Sequence, residues 1–290
     1  MNEIEKIDMN FTMYTGFSQM LHEKGGEKTA EYAAGMGFSS VEMFADARYV
    51  EDNPIPDTAK AKIVRDVLAQ RGLSVACYSV FANVWEQKEH IDAMLRMVDI
   101  ASELGAPFFH HTMLPWTTLR TVAPEYHEAI KVAVEAAACV ADYADRLGIT
   151  CIYEDQGCYI NGVEGFRGFW SEMKKRCKNV GICGDLGNIM FVNEKPENFL
   201  EAYVDDICHV HIKDYLRKEA EMSPGRYWLQ AEDNNWLRDT MVGSGEVDFE
   251  ACMKILKNAG YKGAFALELG HLEPFDEGVR QAMEYLKRFW

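Results

Sequence analysis

The chain has 290 residues and a formal net charge of −16, from 46 acidic against 30 basic side chains. Such a surface repels a phosphate backbone, and the basic residues are scattered among acids, so no nucleic-acid partner is expected. Hydrophobic content is 48% with no long apolar run, and the opening MNEIEKIDMN lacks an apolar signal segment, so no membrane partner and a cytoplasmic location are expected.

In chain order, the first apolar run is FTMYTGF, a predicted strand, followed by a helix near 26–36. SSVEMF is strand two, and DNPIPD breaks the chain before a helix over 57–71. SVACYSV is strand three, with a helix over 88–104, and PFFHHTM is strand four. TVAP then caps a long Ala-rich helix to about 147, in which Ile130, Val134, Ala137, Ala141 and Leu147 recur at helical spacing and make one buried stripe. TCIYED is strand five with a helix over 164–178, and VGICGD is strand six with a short helix near 196–203. ICHVHIKD is strand seven, Asp248 opens the next helix, GAFALEL is strand eight, and Asp276–Phe289 closes the chain.

A repeat underlies this order. Helix-like stretches end in Gly plus one apolar or small residue before each new strand: MGF, RGL, LGA, LGI and AGY. Gly there suits a left-handed C′ cap. The first four glycines fall at 37, 72, 105 and 148, and eight βα units would average roughly 36 residues each. Alternating strands and helices force parallel pairing through right-handed crossovers. The expected fold is therefore α/β, one (β/α)8 TIM barrel over residues 1–290, with an open doubly wound sheet as runner-up. No phosphate-binding glycine loop follows strand one, which removes the usual reason for the open sheet. The long connection at about 215–245, with Tyr227, Trp228 and Trp236, reads as a site cover, an oligomer contact or a surface excursion packed on its own aromatics. The eight cysteines form no CxxC pair and read as reduced core residues.

Four consecutive strands end on a residue able to hold a cation: Glu154, Asp185, His211 and Glu268. The C-terminal rim is where parallel α/β folds keep their chemistry. Without a cation, three crowded carboxylates would repel one another. Three oxygens and one nitrogen suit one divalent metal ion, Mn²⁺ foremost, with Mg²⁺, Co²⁺ or Zn²⁺ as alternatives. Other rim residues are candidates for contact with a substrate. Trp85 and Trp116 follow strands three and four, where an indole stacks on a sugar or packs under a loop. His110 and His111 adjoin on strand four, so one faces inward and one outward; His111 is the candidate substrate contact. Lys213 and Asp214 follow His211 and either meet substrate oxygens or form a surface salt bridge. The loop GHLEPFDEG after strand eight has three carboxylates and no Lys or Arg, so an unphosphorylated sugar, cyclitol or glycoside is expected.

The segments IYED, GDLGN, HVHIKD and GSGEVDFEACMKILKNAGYKGAFALELG resemble the sugar isomerase/epimerase superfamily of xylose-isomerase-like barrels, which includes ketose epimerases and inosose dehydratases. The resemblance implies that Glu154, Asp185, His211 and Glu268 are metal ligands, with Glu154 and Glu268 also acting as acid and base. It implies substrate contacts at Asn188, where many relatives have His, and at Arg217. The second Glu that ketose 3-epimerases carry after strand five is missing from EDQGCYI.

A metal on a carbonyl and its neighbouring hydroxyl acidifies the shared C–H. A carboxylate beside it takes the proton, and an enediolate follows. The expected activity is a metal-dependent sugar or cyclitol isomerase or epimerase, with a homo-oligomeric assembly. The alternative is a lyase on the same scaffold, of the inosose dehydratase or glycoside-cleaving type. A non-catalytic sugar-binding subunit and an apurinic endonuclease rank below both.

Overall fold

In a computed structural model, residues 9–85, 88–115, 124–270 and 274–290 are described. Eight parallel strands close into a barrel: β1 (Asn10–Met13), β2 (Ser40–Asp46), β3 (Ser74–Phe81), β4 (Phe108–His111), β5 (Thr150–Glu154), β6 (Val180–Asp185), β7 (Ile207–Ile212) and β11 (Ala264–Leu267). Each pairs with its sequence neighbour, and β1 meets β11 to close the ring. The expected (β/α)8 barrel is the observed fold. The helices α1 (Phe17–Lys24), α2 (Gly26–Gly35), α3 (Thr58–Gln70), α4 (His90–Leu104), α5 (Tyr126–Arg146), α6 (Gly162–Arg176), α7 (Pro196–Tyr203) and α8 (Phe249–Asn258) connect the strands, and α9 (Phe275–Leu286) follows the last of them.

Local chemistry sets these boundaries. Gly105 and Gly148 end their helices at φ 72° and 73°, the left-handed region, and the other three repeat glycines share it. Asp57 and Asp248 cap α3 and α8, accepting from the backbone N–H of Lys60 and Ala251. Two expectations shift. Strand one stops at Met13, because Gly16 at φ 79° turns the chain directly into α1. Leu147 falls just past the end of α5 and is 41% exposed, so it leaves the stripe that Val134, Ala137 and Ala141 bury. Each buried Val or Leu of such a stripe contributes roughly 1.5–3 kcal/mol.

The long connection folds as a sheet of its own. β8 (Tyr215–Glu219), β9 (Leu229–Gln230) and β10 (Asn235–Asp239) pair antiparallel in the order β8-β10-β9. Asp214 clamps its base. One carboxylate oxygen accepts from the N–H groups of Gly243 and Gly245, the other from those of Tyr215 and Val247. Gly245 sits so close that a Cβ there would lie 2.2 Å from Asp214 Oδ1. Asp214 is thus a buried brace for the connection, in place of the expected substrate contact or surface ion pair.

All eight cysteines are unpaired, and five are buried. No helix among the described residues is long and apolar enough to cross a membrane.

Candidate metal centre

Glu154 and Asp185 are the last residues of β5 and β6, His211 is the last but one of β7, and Glu268 follows β11. Register aligns Asp185 and Ala266 with His211 across the neighbouring strands, so one rim carries all four. His211 Nδ1 lies 3.2 Å from Glu154 Oε2, 3.3 Å from Glu268 Oε2 and 3.7 Å from Asp185 Oδ2. Metal–ligand bonds of about 2.0–2.2 Å put neighbouring donors roughly 3.0–3.5 Å apart. Glu154, Asp185 and His211 lie close enough together to hold one divalent ion, and Glu268 Oε2 approaches the same nitrogen. Glu154, Asp185 and His211 are all buried, and Glu268 is partly open toward the mouth.

The carboxylates are held from behind. Asp185 Oδ1 accepts from the N–H groups of Gly187 and Asn188, at 2.8 and 2.7 Å, which leaves Oδ2 facing His211. Glu154 Oε1 accepts from the Gln156 amide at 2.6 Å. Lys213 Nζ bridges Asp185 at 2.9 Å and Glu268 at 2.8 Å, and reaches Asn188 Oδ1 at 3.2 Å. Burial raises the Asp185 carboxyl, but Lys213 and His211 outweigh it and bring it down to about 2. Glu268 moves the other way. Burial, helped by the Asp185 and Glu154 charges, pushes it up to about 7 against Lys213 and His211.

The remaining candidates divide. Lys213 and Asn188 belong to the cluster, and the Asn188 side-chain nitrogen is buried without a hydrogen-bond partner among the described residues. His111 does not belong. Its ring packs between Phe109 and Tyr153, and Tyr153 bonds to α5, so it lies on the helix side of the strand. Strand alternation then turns His110 inward, with Nε2 3.6 Å from Glu154 Oε1 and its ring against His211. The correction moves the inner role from His111 to His110. Arg217 also stands apart. Its guanidinium pairs with Asp233 and bonds to Asn193, so it ties β8 to the turn after β6. Trp85 is partly buried against the core. Trp116 and part of the 270–278 loop lie outside the described residues.

Tyr14 and Glu42 were not singled out from the sequence; His209, a lone imidazole on an apolar strand, lies with them. Tyr14 stacks on His211 with ring centroids 5.0 Å apart. Glu42 and His209 sit one layer below, joined at 2.7 Å. Glu42 did carry a signal, as a lone acid inside the apolar run SSVEMF.

Known proteins align with this picture. An inosose dehydratase from Geobacillus thermodenitrificans is 27% identical over 91% of each chain. Among solved structures, 3-keto-D-glucoside 4-epimerase YcjR from E. coli superposes with TM-score 0.71 at 18% identity, covering 97% of this chain and all of that one. A xylose isomerase-like TIM barrel protein from Mycobacterium smegmatis, solved in complex with magnesium, gives TM-score 0.68 at 18% identity over 91% and 87% of the two chains. The model of the family described as xylose isomerase-like TIM barrel matches residues 30–289, and the chain belongs to that family.

Proposed function

We propose that the protein is a divalent-metal-dependent sugar or cyclitol isomerase or epimerase that works by removing a proton next to a carbonyl. The observation that carries this reading is the convergence of Glu154, Asp185 and Glu268 on one nitrogen of His211, at 3.2–3.7 Å. Those four side chains would hold the ion, Mn²⁺ foremost, and when bound it would acidify the C–H between a carbonyl and a hydroxyl. The magnesium complex of a family neighbour supports a divalent ion.

The protein's own groups supply the rest. Glu154 and Glu268 are the two carboxylates free to exchange a proton with carbon, since both Asp185 Oδ1 bonds are to backbone N–H. Their surroundings push them apart, Glu154 below the usual carboxylate range and Glu268 above it. Lys213 holds Asp185 and Glu268 in register and offers positive charge to a developing oxyanion. The Asn188 amide nitrogen, buried without a hydrogen-bond partner among the described residues, would donate to a substrate oxygen. Epimerisation follows when the second carboxylate returns the proton to the opposite face, and isomerisation when it goes to the neighbouring carbon.

One observation favours a second reading. The likeness to an inosose dehydratase runs over nine-tenths of both chains, and loss of a β-hydroxyl from the same deprotonated substrate would make this a lyase. The substrate in either case is a small unphosphorylated sugar or cyclitol, and the assembly a homo-oligomer.

The test is incubation of the metal-loaded protein in D₂O with free ketoses, aldoses and keto-cyclitols. Deuterium appears at carbon next to a carbonyl; a product of unchanged composition marks the isomerase, and one lighter by a water marks the lyase. Glu154→Gln and Glu268→Gln lower deuterium uptake by about 10²-fold or more with the circular dichroism unchanged. Full uptake in both variants would overturn the assignment.

A further inference from the structure

Beneath the four donors lies a polar layer that the proposed proton transfer does not use. Glu42, in the middle of β2, is fully buried. Its carboxylate faces three groups: His209 Nε2 at 2.7 Å, His211 Nε2 at 3.0 Å and the Ser79 hydroxyl. Ser79 Oγ also lies 3.1 Å from His110 Nδ1.

The Glu42 carboxylate is enclosed by two ring nitrogens and a hydroxyl, and is placed to accept a hydrogen bond from each. Each of its neighbours must therefore bring the proton. With Nδ1 given to a cation among Glu154, Glu268 and Asp185, His211 carries its one hydrogen on Nε2, where Glu42 accepts it at 3.0 Å. Ser79 spends its one proton on Glu42, so its oxygen accepts from His110 Nδ1–H. That leaves His110 Nε2 as a lone pair, buried and without a hydrogen-bond partner among the described residues. One carboxylate thus dictates which nitrogen two different imidazoles turn toward the rim.

We propose that Glu42 is a positioning residue that sets both tautomers: it makes His211 offer Nδ1 to a divalent cation and makes His110 offer Nε2 to a substrate hydroxyl. The inference rests on the cation reading of the four donors. Carboxylates behind metal-bound imidazoles orient the ring and raise its basicity, and losing one costs about 10–100-fold in metal affinity.

The experiment uses the full chain labelled with ¹⁵N-histidine, titrated with Zn²⁺ as a diamagnetic probe and followed by long-range ¹H–¹⁵N spectra. In the wild type, Zn²⁺ moves the His211 Nδ1 resonance while Nε2 keeps its proton, and His110 is protonated on Nδ1. Glu42→Gln binds Zn²⁺ about 10–100-fold more weakly and loses the single His211 tautomer. Ser79→Ala unhooks only His110, whose tautomers then mix while Zn²⁺ affinity stays near wild type. A zinc ion on His211 Nε2 in the wild type would overturn the proposal, as would Glu42→Gln with unchanged affinity and an unchanged His211 spectrum, however much its melting temperature falls. Should Glu42→Gln not fold, the wild-type and Ser79→Ala spectra still decide. Wild-type protein that takes up no Zn²⁺ sinks the cation reading and this proposal together. Zn²⁺ on Nδ1 in a protein inert to every sugar sinks the proposed reaction alone.

Discussion

Single side chains divide here by which face of a strand they occupy. His110 and His111 share β4, and alternation lets only one enter the barrel, but nothing in PFFHHTM says which. The neighbours decide: Phe109, two residues from His111, faces the helices, and the larger apolar ring fixes the phase. His111 is therefore a core imidazole kept neutral, its pKa pushed down by burial to about 3. The unfolded chain has its ordinary value of about 6.5. Between those limits the unfolded state binds more protons, so this residue makes stability fall as pH drops from 6.5 toward 3 and leaves it unaffected above 6.5. His90 and His110 are also lowered by burial and add to the same slope. The variant to compare is His111→Phe, which keeps an aromatic ring against Phe109 and Tyr153. Urea unfolding measured from pH 7 to pH 4 is expected to show a shallower loss of stability in the variant than in the wild type. Parallel curves would mean that His111 does not titrate from a buried neutral state. Glu42 was hidden for the opposite reason. An acid inside an apolar strand reads as a misplaced surface residue until three donors from β3 and β7 are seen around it.

At the scale of elements, the repeat was legible because five of the eight units end in the same covalent device. Glycine with positive φ at 37, 72, 105, 148 and 260 needs no tertiary information, and seven of the eight expected strands fall within two residues of the observed ends. The insertion was not legible as a sheet. YLRKE and NWLRD alternate too weakly to mark strands, and β9 is only two residues long. Part of its order comes from outside itself, through Asp214 at its root and the Arg217–Asn193 bond that fastens β8 to the turn after β6. Burial raises the Asp214 carboxyl while four backbone N–H groups oppose the rise. Asp214→Asn keeps the shape but turns an amide NH₂ toward N–H donors and strands at least one of them. The expected loss is about 1–3 kcal/mol in denaturant unfolding, with faster proteolysis confined to 216–242. Cleavage spread evenly over the chain, or an unchanged midpoint, would show that the insertion is held by its own packing.

The whole barrel is unusual in what fills it. Such barrels are mostly packed with layers of Val, Ile and Leu, whereas this interior pairs Thr12 with Ser40 and sets Glu42, Ser79 and His209 beneath Glu154, Asp185 and His211, with Cys77, Ile152 and Cys183 as its apolar part. Polar layers contribute less hydrophobic free energy, and three carboxylates at one rim add repulsion in a chain already at −16. Lys213 offsets part of that repulsion, since its ammonium touches two of the three acids. A divalent ion would offset more and would bind only the folded chain, where β5, β6, β7 and β11 bring the donors together. Mass action then stabilises the fold by about 2.7 kcal/mol at a free-metal concentration a hundred times the dissociation constant. For a chain of this size each kcal/mol moves the midpoint by roughly 2–4 °C, so a rise of about 5–10 °C on adding Mn²⁺ is expected. Chelation should reverse it, and Asp185→Asn should shrink it, because that substitution removes a charge whose other oxygen is already committed to backbone N–H groups. If Mn²⁺, Mg²⁺, Co²⁺ and Zn²⁺ all leave the melting temperature where the chelated protein has it, Lys213 is the cation of this rim and the acids evolved around it.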